Sequence, residues 1–327
     1  MALLSLALAG TACHEPTEYS STSRSGVTKI RVSDNSVIGT AEGISDGRSL
    51  ASLGNTQFLV ASGSGVLYRF DSATMSLDTS FAIGFGSGAG YGEIILPKPG
   101  SAYVIGAAGS ILEISLQSNS VADELVAGPL PVCMCPSASD QRFYVGDGSD
   151  RRIREIDSET NTQLRQSQPL SETPVSLCAE SLDESYLFAC CSDDAGTVER
   201  LSLSSLYSSQ VLLGSICADV SAFPAESVWA VAHPDWYGLN GRISICSSFF
   251  SPEVQEIALT GHPIGVCSVP GSTLFYVLSY LGDGISRATA VNFLTGDIVD
   301  HVDLEGFPWD ITSHANGEYV LVLTSEI

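Results

Sequence analysis

From Val27 onward the chain alternates short apolar runs with clusters of Gly, Asp, Ser and Pro, a pattern that predicts strands and tight turns. The stretch Pro131–Asp157 shows the unit most plainly. Pro131–Cys135 is a continuous apolar run, as in a strand buried on both faces. Arg142–Asp147 is a second strand built on Phe143, Tyr144 and Val145, and Arg152–Ile156 is a third. Polar turns at Ser137–Gln141 and Asp147–Asp150 separate them.

The centre of the second strand recurs as Phe58-Leu59-Val60, Ala102-Tyr103-Val104, Phe143-Tyr144-Val145, Tyr186-Leu187-Phe188, Val228-Trp229-Ala230, Phe275-Tyr276-Val277 and Glu318-Tyr319-Val320, in steps of 41 to 47 residues. A Pro opens the first strand at Pro131, Pro174, Pro263 and Pro308, where its missing N–H lies outside the ladder. The third strand ends in a short polar residue at Asp71, Ser115, Asp157, Ser202 and Asn292. Such side chains bond their own backbone two residues on, so a turn is expected there rather than catalysis. Fourth strands follow at Leu77–Ile83, Val121–Val126, Thr162–Gln166, Gln210–Leu213, Val254–Leu259 and Ile298–Leu304.

Four strands per repeat predict an all-β, seven-bladed β-propeller of four-stranded antiparallel blades. The seventh copy stops after two strands, Pro308–Thr312 and Tyr319–Thr324. Val27–Val32 and Ser36–Thr40 at the other end match the two that are missing. An open ring leaves bare sheet edges, so the last blade is expected to be closed by strands from both termini. The expected organisation is a signal or lipobox-like segment over 1–13, a flexible tether over 14–25 and one propeller over 26–327.

The run Pro131…Phe143-Tyr144-Val145…Ile153-Arg154-Glu155-Ile156-Asp157, and after it Pro263…Phe275-Tyr276-Val277, resembles the YVTN-repeat family of seven-bladed propellers. That resemblance implies an extracytoplasmic protein, and related propellers include lactonases. The first copy departs from the pattern by lacking the opening Pro, and the fifth by the insertion His233–Gly241.

With 37 acidic against 14 basic residues the formal charge is −23, which disfavours nucleic acid as a partner. Met1–Ala12 is apolar or small throughout and too short to span a bilayer. It fits a secretory h-region, and Cys13 after small residues resembles the lipidated Cys of a bacterial lipobox. Cleavage after Ala9 or Ala12, releasing a soluble protein, is the alternative. The polar, Ser/Thr-rich His14–Ser25 suits a tether.

Eight further cysteines lie between Cys133 and Cys267. Cys135, Cys178 and Cys267 each stand four residues after the repeat's Pro, which points to small packing side chains on the innermost strands. Cys133-x-Cys135 and the vicinal Cys190-Cys191 prompt a metal or redox site as the functional reading, and one or more disulfides are a further alternative in an exported chain. No metal or cofactor is expected, because the spacings are not those of a zinc site. The sequence holds no Gly-x-Ser-x-Gly elbow or phosphate loop. Gly84–Gly92 reads as a connector.

The loops between second and third strands carry Asp147, Asp193, Asp235 and Asp283, and the fifth also carries His233, Trp236 and Tyr237. In a propeller these loops share a face with the connections between blades, which bring Trp309, and with Tyr280. Aromatic residues beside a few polar groups are the makings of a recognition patch. The expected function is therefore a monomeric, non-enzymatic propeller of the cell envelope that binds a protein or small ligand on this face. The alternative is a lactonase-like or other hydrolase using acids at the channel mouth, for which His262 and Asp310 lie near inner strands.

Overall fold

The computed structural model describes residues 24–326 apart from 85–92, 107–108, 138–140, 180–184, 224–226, 239 and 248–251. The apolar leader, Cys13, most of the tether and nearly all of Gly84–Gly92 lie outside the described residues. Seven four-stranded antiparallel sheets form the blades. Blade 1 starts at Gly47, blade 2 at Ile94, blade 3 at Pro131, blade 4 at Pro174, blade 5 at Asp219, blade 6 at His262 and blade 7 at Phe307.

Blade 7 is closed as expected. Its strands run, from the inside outward, Phe307–Ser313, Tyr319–Ser325, Arg24–Arg31 and Val37–Ser45. Arg24–Arg31 pairs with the chain's last strand over seven residues, from Ser25 opposite Ser325 to Arg31 opposite Tyr319. The strand thus begins at Arg24, inside the segment expected to be tether.

The recurring triplets explain how blades adhere. Their side chains are fully buried in most copies and pack between sheets. Tyr103 of blade 2 meets Phe143 of blade 3 at 4.8 Å between ring centroids, and Phe188 of blade 4 stacks on Trp229 of blade 5 at 4.7 Å. Each such ring removes a large apolar surface from water only when its neighbour is present, so no blade has a sufficient core alone.

The short polar residues ending the third strands are turn formers. Asp71 Oδ1 accepts hydrogen bonds from the Ala73 and Thr74 amides, and Asp157 Oδ1 from the Glu159 and Thr160 amides. Asn292 does the same for Leu294 and Thr295. Those amide and hydroxyl donors hold the Asp71 and Asp157 carboxyls below the usual carboxylate range.

Candidate functional site at the channel mouth

The innermost strand of every blade is a sheet edge and offers amides that no ladder partner takes. Strand register identifies one equivalent position in all seven, occupied by Ser49, Glu93, Cys133, Ser176, Asp219, Gly265 and Asp310. Each immediately precedes the inner-strand residue opposite the second-strand core (Leu50↔Val60, Ile94↔Val104, Met134↔Val145, Leu177↔Ala189, Val220↔Val231, Val266↔Val277, Ile311↔Val322). At five of the seven positions the side chain reaches across to the amide that follows the same position in the next blade. Asp310 Oδ2 accepts from Leu50 N at 2.7 Å, Glu93 Oε2 from Met134 N at 2.6 Å and Asp219 Oδ2 from Val266 N at 2.8 Å. Ser49 Oγ accepts from Ile94 N and Ser176 Oγ from Val220 N at 3.3 and 3.4 Å. Gly265 has no side chain to offer, and a Cβ there would sit 3.2 Å from Ile311. The Ile311 amide is instead taken by its own neighbour, Asp310 Oδ1, at 2.7 Å.

A second tier lies two residues further along. Cys178 Sγ accepts from Ala222 N at 3.2 Å, Ser221 Oγ from Ser268 N at 3.0 Å, and Cys135 from Ala179 N. The inner-strand cysteines are free thiols, as the sequence led us to expect. They pack, and two of them also cap an amide of the next blade.

Three carboxyls in one ring repel each other and are costly to ionise there. Each keeps only part of its surface exposed. Burial pushes Asp310 up to about 7, against the pull of its amide donors, and Asp219 adds to the rise. Burial also pushes Glu93 well above the ordinary carboxylate range, with Asp310 and Asp219 contributing, and raises Asp219. Burial and mutual repulsion thus favour the protonated form of all three, and Asp310 exchanges its proton near pH 7.

Directly before the ring position, the inner strands of blades 1, 3, 4, 6 and 7 carry a β-bulge whose extra residue is Arg48, Val132, Val175, Ile264 or Trp309. All five are half-buried and rim the mouth on the face of the second-to-third-strand loops. An aromatic arc continues this rim over blades 5 to 1. Trp236 stacks on His262 with centroids 4.9 Å apart, and His262 lies opposite Tyr280 in the ladder. Tyr280 meets Phe307 at 5.0 Å, Phe307 meets Trp309 at 5.3 Å, and the Arg48 guanidinium sits 4.2 Å over Trp309 while paired to Asp46. Trp236 Nε1 and His262 Nδ1 are buried atoms with no hydrogen-bond partner.

The loop residues expected to form a patch have different fates. Trp236, Tyr280 and Trp309 join the arc, and Tyr237 is fully exposed beside it. Asp235 accepts from the Tyr237 amide, and Asp283 sits in its turn at φ 51°. Asp147 is fully buried, taking the Ser149, Asp150 and Leu130 amides, with Arg154 at 3.5 Å. Asp193 is held by the Thr197 amide and hydroxyl. His233 is 1% exposed, its Nδ1 near the carbonyls of Ser215 and Ile216. Glu93 and Asp219 escaped notice in the sequence because no Pro precedes them at the repeat's spacing. Ser49 lacks such a Pro as well, whereas Cys133, Ser176, Gly265 and Asp310 each stand two after one. Among the described residues, no group of three or more His, Cys, Asp or Glu is placed to hold a metal ion.

No family model matches the chain, and no curated protein does. Among solved structures it is similar to Kuenenia stuttgartiensis hydrazine synthase, with a TM-score of 0.70 and 14% identity over 85% of this chain and 94% of that one. At that identity the likeness shows the propeller fold and nothing of the chemistry.

Proposed function

We propose that the protein is a binding propeller whose loop face, over blades 5 to 1, takes a small flat ligand with a polar edge. The observation that carries this reading is the Trp236–His262 pair, a half-buried aromatic stack that continues into Tyr280, Phe307 and Trp309 along the rim. A planar ligand lying along Trp236, His262 and Trp309 would cover the ring surface these half-buried side chains leave accessible. The test is quenching of tryptophan fluorescence with a panel of planar heterocycles and sugars. Binding should appear in the wild type and fall at least tenfold in Trp236→Ala and in Trp309→Ala. Undiminished binding in both variants overturns the assignment.

A catalytic reading has its own support in Asp310, which neighbours Trp309 and holds a proton that exchanges near pH 7. Lactone or ester hydrolysis lost on Asp310→Asn, with the fold retained, would favour it over simple binding. The repeat's resemblance to YVTN propellers and the segment around Cys13 support an exported, lipid-anchored protein. Under that reading, wild-type protein labels with palmitate and partitions into detergent, and Cys13→Ser does neither.

A further inference from the structure

The fourth strand of each blade lies on the outer rim of the propeller, far from the mouth, and leaves a row of backbone N–H and C=O groups unpaired. Most of these edges are guarded against pairing with another chain. The outer strands of blades 1, 2, 3, 6 and 7 are broken in register by a bulge. Each of the five also carries charge, at Asp78, Asp123, Arg165, Asp300 and Glu42 respectively. The outer strand of blade 5 has no bulge but holds Glu253 and Glu256.

Ser208–Leu212, the outer strand of blade 4, has neither guard. It pairs in unbroken register, from Thr197 opposite Leu212 to Leu201 opposite Ser208, and carries no charged residue. Leu212 is 65% exposed and Tyr207, just before the strand, 71%. The free groups can be read from the register. The Leu213 amide bonds Gly196 O and the Ser202 amide bonds Tyr207 O, so Tyr207, Ser209, Val211 and Leu213 turn their backbone groups into the blade. Ser208, Gln210 and Leu212 turn theirs outward, and among the described residues no partner takes them. The edge is held from behind: Arg200 Nε donates to Ser209 Oγ at 3.2 Å, and Gln210 Nε2 to Glu199 Oε1 at 3.1 Å.

We propose that this edge is the contact of a twofold homodimer, in which Ser208–Leu212 pairs antiparallel with the same strand of a second copy.

The spacing of the free groups suits that operation. A twofold axis beside Gln210 sets Gln210 against Gln210 of the second copy and Ser208 against Leu212. Every outward N–H of the strand then meets an outward C=O. The same operation fails on the other unbulged edge. The Leu259 amide bonds Gly241 O in blade 5, so the outward groups there belong to Val254, Glu256 and Ala258, and the axis would set Glu256 against Glu256. Charge also selects the occupant. A basic partner would be drawn to the acidic rims of blades 5 and 6, whereas two chains of −23 approach with least repulsion where the rim strand is neutral. A contact of five residues a side is small, so the dimer should be weak and concentration-dependent.

The experiment is sedimentation equilibrium of the full chain at rising concentration and at two ionic strengths. A monomer–dimer equilibrium is expected that tightens with salt, because salt screens the repulsion between two acidic copies. Gln210→Pro removes an N–H that the blade's own ladder does not use, so it should keep the wild-type melting temperature and weaken association at least tenfold. Register is read with engineered thiols oxidised by diamide. Gln210→Cys should cross-link to its copy, since Cα atoms of a hydrogen-bonded pair lie about 5.5 Å apart. Leu212→Cys should not, its copy being about 13 Å away. A chain that stays monomeric under all conditions, even one that captures a foreign strand at this edge, overturns the proposal. So does association that loosens with salt, that folded Gln210→Pro retains in full, or in which Leu212→Cys cross-links as readily as Gln210→Cys. The wild-type equilibrium and the two cysteine variants decide the matter even if Gln210→Pro fails to fold.

Discussion

Neighbouring blades are stitched together at two levels, and the two use opposite chemistry for one task. At the channel the next blade presents amide N–H groups, so the stitching side chains are acceptors: Glu93, Asp219, Asp310, Ser49 and Ser176. At the opposite face it presents carbonyls of its third-to-fourth-strand turn, so the side chains are donors. Lys29 donates to Ser72 O at 2.7 Å and lies 3.9 Å over the Tyr319 ring. Arg69 donates to Leu116 O at 3.0 Å, Lys98 and Tyr103 to Ser158 O, and Arg165 to Leu203 O. The polarity of the free backbone group thus selects the sign of the side-chain charge. It also selects the response to pH, because arginine stays charged throughout while burial and crowding raise the ring carboxyls, Asp310 to about 7.

The hardest way to break this comparison is to remove the seam both levels serve. A chain beginning at Asp46 lacks the outer two strands of blade 7, and with them Lys29. It should aggregate or lose its cooperative melt altogether; a soluble monomer with an unchanged melting temperature would refute closure as the source of ring stability.

Single stitches should cost less. Asp310→Ala leaves the buried Leu50 amide without an acceptor, and Lys29→Met leaves Ser72 O without a donor. We expect each to lose about 1–3 kcal/mol in chemical denaturation. Equal stability to wild type would mean water substitutes freely at that level.

pH sharpens the contrast. Asp310 binds its proton more tightly folded than unfolded, since its ordinary value of 3.8 rises to about 7. Its contribution is complete below about pH 4 and is lost as pH climbs through 7, an effect of up to about 4 kcal/mol. Melting temperature should therefore decline from pH 5 to 8, and Asp310→Asn should flatten that decline. Lys29→Met should lower the whole curve without changing its slope in that range. Burial does lower the Lys29 value, but from 10.5, well above the window. An unaltered slope in Asp310→Asn would show that the ring carboxyls do not titrate there.

The smallest effect belongs to the rim. Tyr237→Ala should leave stability unchanged, because the side chain is fully exposed. Trp236→Ala should lose about 0.5–1.5 kcal/mol with the His262 stack. A larger loss would make the insertion a brace between blades 5 and 6 rather than a recognition element.

Blade number, strand order and closure across the termini were all legible in the residues, because alternation, turn chemistry and the repeat's spacing are local signals that each copy restates. So was the structural role of Asp71 and Asp157, which bond amides two and three residues on. Asp310 could be placed near an inner strand from its Pro, and the aromatic residues near one face from loop equivalence. The alliances between them could not be read this way. Ser49 and Asp310 are 261 positions apart, and Asp219 meets the Val266 amide 47 positions on. No local pattern marks such pairs. Asp147 and Trp236 look alike in sequence, as polar or aromatic residues in matching loops. Burial beneath Arg154 made one a turn fastener, while a stack on the next blade's His262 put the other on the rim. Sequence period specified the sheets; closing the ring determined which free backbone groups, acids and thiols would face each other across the seams.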